Sequence, residues 1–132
     1  IISAAASTET EALPRVRAMV AAFSRWHADN SRVGRIVQYE FGALTPEHRA
    51  EIAEFRRGIE REMQNALTAG VDEGVLDVAD VKGTALALLS LSIDLVRWFE
   101  PGGAITAADL AGLHADLAAR MVQIRPAGQL QR

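Results

Sequence analysis

The stretch VADVKGTALALLSLSIDLVRWFEPGGAITAADLAGLHADLAARMV, residues 78–122, decides how the rest of the chain is read. Its first part sets Leu86, Leu88, Leu89, Leu91, Ile93, Leu95 and Val96 around a helix over residues 78–99 instead of along one stripe. A helix that is apolar all round has to be covered on more than one side. Asp77, with Asp80 three residues on, is the expected cap of this helix. Glu100-Pro101-Gly102-Gly103 ends it, because proline has no N–H to extend the ladder and glycine takes the reversed backbone of a helix end without strain. Thr106 and Asp109 then open a last helix over residues 106–124, whose stripe is Leu110, Leu113, Leu117, Met121 and Ile124. Its Ala111, Ala115, Ala118 and Ala119 are small enough to let another helix approach closely.

Working backwards, Thr45-Pro46 is a start signal, a hydroxyl cap followed by proline at the first helical position. The helix it predicts runs over residues 46–69, with Ile52, Phe55, Ile59, Met63, Ala66 and Leu67 on its buried side, and Gly70 and Gly74 frame the turn that follows. Before it, Asn30-Ser31 breaks a first helix over residues 9–29 from a second over residues 32–43, which Ser31 is placed to cap. Val16, Met19, Val20, Phe23 and Trp26 give the first helix one apolar face. With no β-branched runs and no βαβ alternation, the expected fold is all-α, a bundle of about five helices over residues 9–125. Residues 1–8 read as a linker and residues 126–132 as a disordered tail.

Composition narrows the function. The 132 residues carry no cysteine, which excludes disulfides, thiol nucleophiles and thiolate metal sites. The net charge is −3, with residues 1–66 balanced and the acidic excess in residues 67–132, so the chain offers no basic arm for nucleic acid or membrane. Residues 1–8 lack the basic flank and long apolar region of a signal peptide, no stretch is long enough to cross a bilayer, and a cytoplasmic protein is expected. His48 with Glu47 or Glu51 is a charged helix start with no metal-site spacing, so no metal or cofactor is expected. His114 reads as an interface-edge histidine, Ser90 and Ser92 as hydroxyls bonded back to carbonyls one turn earlier, and Asp94 as half of a structural polar pair with Arg97, with a dimer-edge or pocket role as the alternatives.

Only seven residues are aromatic. Phe23, Trp26 and Phe55, with Ile59, Met63 and Leu89, are expected to wall a cavity between the first, third and fourth helices. Trp26, His27, Asn30, Arg35 and Tyr39 supply polar tips as selectors. Arg35 suits a ligand carboxylate or phosphate as well as it suits a surface ion pair.

Two motifs carry a family resemblance. An apolar helix ending in Trp98-Phe99-Glu100-Pro101-Gly102-Gly103, followed by Thr106-x-x-Asp109-Leu110, resembles the last two helices of TetR-type transcriptional regulators. The segment LTPEHRAEIAEFRRGIEREMQNALTAGVDEGVLD, residues 44–77, resembles their long central helix and its turn, here Gly70, Gly74 and Leu76. The resemblance implies the effector-binding and dimerisation domain of such a repressor, a homodimer joined through its last two helices as a four-helix interface. Leu88, Leu91, Leu95, Trp98, Leu110, Leu113, Leu117 and Met121 are the expected contact residues. It also implies a small apolar or acyl-CoA-like effector, and operator DNA bound only by a helix-turn-helix domain that lies outside this sequence, which begins Ile1-Ile2-Ser3. Two other readings stay open: a structural dimerisation module without a ligand, and a small helical enzyme.

Overall fold

The computed structural model describes residues 11–124; the readings of residues 1–8 as linker and 126–132 as tail lie outside the described residues. Five helices follow one another: α1 (Ala12–Asp29), α2 (Ser31–Tyr39), α3 (Pro46–Asp72), α4 (Val81–Leu95) and α5 (Ala107–Val122), with a 3-10 turn at Phe41–Ala43. Among the described residues there is no strand, only an isolated antiparallel bridge between Leu76 and Gln123. The all-α expectation holds, and so do two of its start signals. Thr45 Oγ1 accepts from His48 N at 3.2 Å, and Thr106 Oγ1 accepts from Asp109 N at 3.0 Å.

The start of α4 differs from expectation. Asp80, not Asp77, caps it, its carboxylate accepting from Gly83 N at 2.9 Å. Asp77 lies ahead of the helix, its N–H donating to Val122 O at 2.8 Å beside the Leu76–Gln123 bridge. The ends of α2 and α4 are also shorter than expected, at Tyr39 and Leu95. Ser31 is the first residue of α2 and is buried; it does not cap the helix.

α1 is the hub. It packs most extensively on α5 and also touches α2, α3 and α4, whereas α4 and α5 touch each other little. Val16, Met19 and Val20 of α1, Met63 and Leu67 of α3, Leu88 and Leu89 of α4 and Val122 of α5 form the main core. A smaller core at the other end gathers Ala28, Leu95, Val96, Phe99 and Leu110. After α3, Gly74 takes φ +76°, which lets Leu76 N donate back to Gly70 O at 3.1 Å and turn its side chain onto the core. Gly70 has to be glycine here, since a Cβ on it would overlap the Leu76 side chain.

One polar chain crosses the interior. Ser24 Oγ lies 2.7 Å from Ser92 Oγ and 2.7 Å from His114 Nδ1, tying α1 to α4 and α5. This corrects two readings. His114 is a buried core histidine, not an interface-edge residue, and only Ser90 bonds back along its own helix, donating to Leu86 O at 2.7 Å. Asp94 pairs with Arg97 on the surface at 3.0 Å, as expected.

Candidate functional site

A cavity of about 490 Å³ opens between α1, α2 and the N-terminal half of α3. Its α1 wall is Phe23, Trp26 and His27, and its α3 wall is Ile52, Phe55 and Ile59 with Glu51 and Arg56. Gly34 and Val37 of α2 close one side, and Ile93 is the single contribution of α4. The wall is therefore almost wholly apolar, with one histidine, one glutamate and one arginine. The expected position, between α1, α3 and α4, is corrected: α2 takes the place given to α4.

Of the ten residues expected to bind a ligand, Phe23, Trp26, His27, Phe55 and Ile59 line the cavity. The other five do not. Met63 and Leu89 are sealed in the main core. Asn30 Nδ2 donates to Trp26 O at 2.9 Å, closing the end of α1. Tyr39 is 58% exposed on the outer side of α2. Arg35 forms no ion pair with an acid among the described residues. Its guanidinium donates to Val96 O at 2.6 Å and Phe99 O at 3.2 Å, capping the orphan carbonyls where α4 ends. Beside it, a Cβ on Gly34 would stand 2.7 Å from Val96 Cγ1, so α2 lies in close contact with that end of α4. Ile52 and Arg56, which sequence reasoning left out of the site, fall with Phe55 and Ile59 at helical spacings of one, three and four.

His27 is the best-placed polar group. Its Nδ1 lies 2.9 Å from Phe23 O, and its ring packs edge-on against Phe23 at 4.4 Å and Trp26 at 5.1 Å between centroids. Burial pushes its pKa below the ordinary 6.5; the bond to Phe23 O works against that, and nearby Arg56 works with it. Arg56 in turn stacks over Phe41 at 5.4 Å. Burial also lowers His114.

Both histidines therefore protonate in the unfolded chain before they do in the fold. The unfolded state binds more protons in that window, so stability should fall as pH drops below about 6.5 and go on falling to the folded pKa values. Urea midpoints should be lower at pH 5.5 than at pH 7.5; equal or higher midpoints at the acid pH would contradict the assignment. Glu54, held down by Arg57, and Asp94, held down by Arg97, add a separate loss only when pH falls to about 4.5 and below.

Three of the expected contact residues also change place. Leu88, Leu95 and Leu110 are buried within the chain's own two cores, because α4 and α5 turn these positions onto α1 and the smaller core. The apolar side chains left open on the last two helices are Leu86, Leu113 and Met121, at 43–51% exposure, beside half-buried Leu91 and Leu117. Trp98, just past α4, is 41% exposed. Among the described residues no group of three His, Asp or Glu is placed to hold a metal ion, and no helix is long and apolar enough to cross a membrane.

An all-α bundle built on a central helix, with an apolar cavity at one end and an open apolar face on its last two helices, defines a class of helical domain. The chain belongs to the TetR family of transcriptional regulators: the family described as tetracyclin repressor-like, C-terminal domain, matches residues 9–122. It is 36% identical to a bacterial regulatory protein of the TetR family from Rhodococcus RHA1, with a TM-score of 0.84 over 95% of this chain and 66% of that one. It is 26% identical to PfmR, a TetR family transcriptional regulator from Thermus thermophilus, with a TM-score of 0.81 over 90% of this chain and 67% of that one. The ketosteroid transcriptional regulator KstR2 of Mycobacterium tuberculosis shares the fold, with a TM-score of 0.84 at 17% identity over 94% of this chain and 64% of that one. The chain thus spans about two thirds of the length of these regulators. No curated protein matches it in sequence.

Proposed function

We propose that this chain is the effector-sensing and dimerisation part of a cytoplasmic TetR-type repressor. A small apolar effector, acyl chains and acyl-CoA thioesters among the candidates, occupies the cavity. The helices α4 and α5 pair with those of a second copy, and operator DNA is held by the helix-turn-helix domain of the intact protein. Effector binding favours a spacing of the two DNA-binding heads that does not match the operator half-sites, by as much as the effector prefers that state.

The observation that carries this reading is the cavity. A volume of about 490 Å³ with apolar walls and a few placed polar groups falls within the range of small-molecule sites. A module built only to dimerise has no use for such a void, since filling it with side chains would stabilise the fold. The Ser24–His114 pair does not turn the domain into an enzyme: Ser24 is fully buried and lies outside the cavity wall, so it presents no nucleophile to a bound ligand.

Calorimetry with decanoic acid, decanoyl-CoA and neutral apolar compounds, read together with quenching of Trp26, tests the proposal. Saturable heat and a Trp26 response for at least one compound are expected. The absence of both for every compound up to its solubility limit would overturn it.

A further inference from the structure

We infer that the cavity selects ligands that present a hydrogen-bond donor, a hydroxyl or N–H on an apolar skeleton, over matched ligands that offer only a carbonyl or ether oxygen. This rests on the reading of the cavity as the effector site and adds to it the polar group that favours one apolar ligand over a matched one.

The argument starts at the carbonyl of Phe23. A carbonyl oxygen only accepts, so the His27 Nδ1 that lies 2.9 Å from it must carry the proton and donate. A neutral imidazole has one N–H. With that proton on Nδ1, Nε2 is left with a lone pair and can only accept. Burial favours the neutral form of the ring. The ring is fixed in place as well: the backbone bond anchors one edge, and Phe23 and Trp26 pack edge-on against it. Nε2 has no hydrogen-bond partner among the described residues, although His27 is nine-tenths buried and lines the cavity.

The cavity thus holds an acceptor of fixed identity in an apolar wall. A ligand oxygen without a proton, set against Nε2, brings two lone pairs together and leaves both groups desolvated and unpaired. A ligand O–H or N–H completes the pair. Glu51 and Arg56, the other polar groups of the wall, are both exposed. Water serves them whichever ligand is bound, so they discriminate less than His27 does.

Matched triplets test this on the full chain: 1-decanol, decyl methyl ether and 2-decanone, then 2-naphthol, 2-methoxynaphthalene and 2-acetonaphthone, each titrated by calorimetry at pH 7.5. The alcohol of each triplet should bind about tenfold or more tightly than its ether and ketone. In His27→Phe, which keeps the ring and removes the acceptor, the preference should shrink towards unity while the ether keeps its affinity. Equal affinities within both triplets for the unaltered chain would overturn the inference and leave the effector site standing. A preference undiminished in His27→Phe would move the acceptor elsewhere and overturn it too. If no probe of either triplet binds, the inference is overturned, while the effector site stands or falls on the decanoic acid and decanoyl-CoA titrations. The comparison on the unaltered chain decides the matter even if the variant does not fold.

Discussion

A Leu113→Glu chain is expected to run as a monomer of 14.2 kDa, where the unaltered chain is expected to run at about twice that mass. Leu113 is 51% exposed on α5 and, with Leu86 and Met121, is one of the large apolar side chains left open on the last two helices, so glutamate there is tolerated by the isolated fold. In a four-helix interface the same carboxylate would lose its water with no partner. That desolvation far exceeds what one leucine contact contributes. Light scattering at micromolar concentration, with circular dichroism to show unchanged helix content, measures both halves of the prediction. An unaltered chain that stays monomeric at high micromolar concentration, or a Leu113→Glu chain that still dimerises, would place the interface elsewhere.

Met63→Ala is expected to lower stability by about 2–5 kcal/mol and to leave ligand binding at the cavity unchanged below the unfolding transition. Met63 has no exposed surface and sits in the main core with Leu67 and Leu88. Removing its side chain leaves a void that the surrounding helices fill only in part. Phe55→Ala should do the reverse. Phe55 is 68% exposed at the cavity mouth, so its loss should cost little stability and weaken binding. Chemical denaturation beside effector titration separates the two. Weakened binding in Met63→Ala with stability intact would return this methionine to the pocket wall.

That contrast also shows what could be read from residue order. Ile52, Phe55, Ile59, Met63 and Leu67 follow one another at helical spacing, but only Ile59, Met63 and Leu67 are buried; Ile52 is half-buried and Phe55 is 68% exposed. However, α3 is 27 residues long, about 40 Å at 1.5 Å per residue. Its first half walls the cavity and its second half packs the core. Periodicity shows which side of a helix is apolar, and only the neighbouring elements decide whether a given turn meets a void or a side chain.

The same limit explains α4. Thr45 and Thr106 were legible as caps because the whole interaction lies within four residues. Asp77 was not, because its N–H is claimed by Val122, 45 positions away in sequence. Arg35 was misread for a related reason. The carbonyls it caps, at Val96 and Phe99, exist as acceptors only because α4 ends beside α2. His27 lines the cavity, while the partner of its Nδ1, Phe23 O, is a backbone atom that no side-chain pattern marks.

The end of α4 has one more consequence. Gly34 and Val37 close the cavity from α2, and α2 in turn abuts Val96 and is fastened there by Arg35. The bore of the cavity is thus gauged in part by residues that do not line it. The Trp98-Phe99-Glu100-Pro101-Gly102-Gly103 corner, legible at first only as a chain reversal, is the abutment against which that helical wall is shimmed.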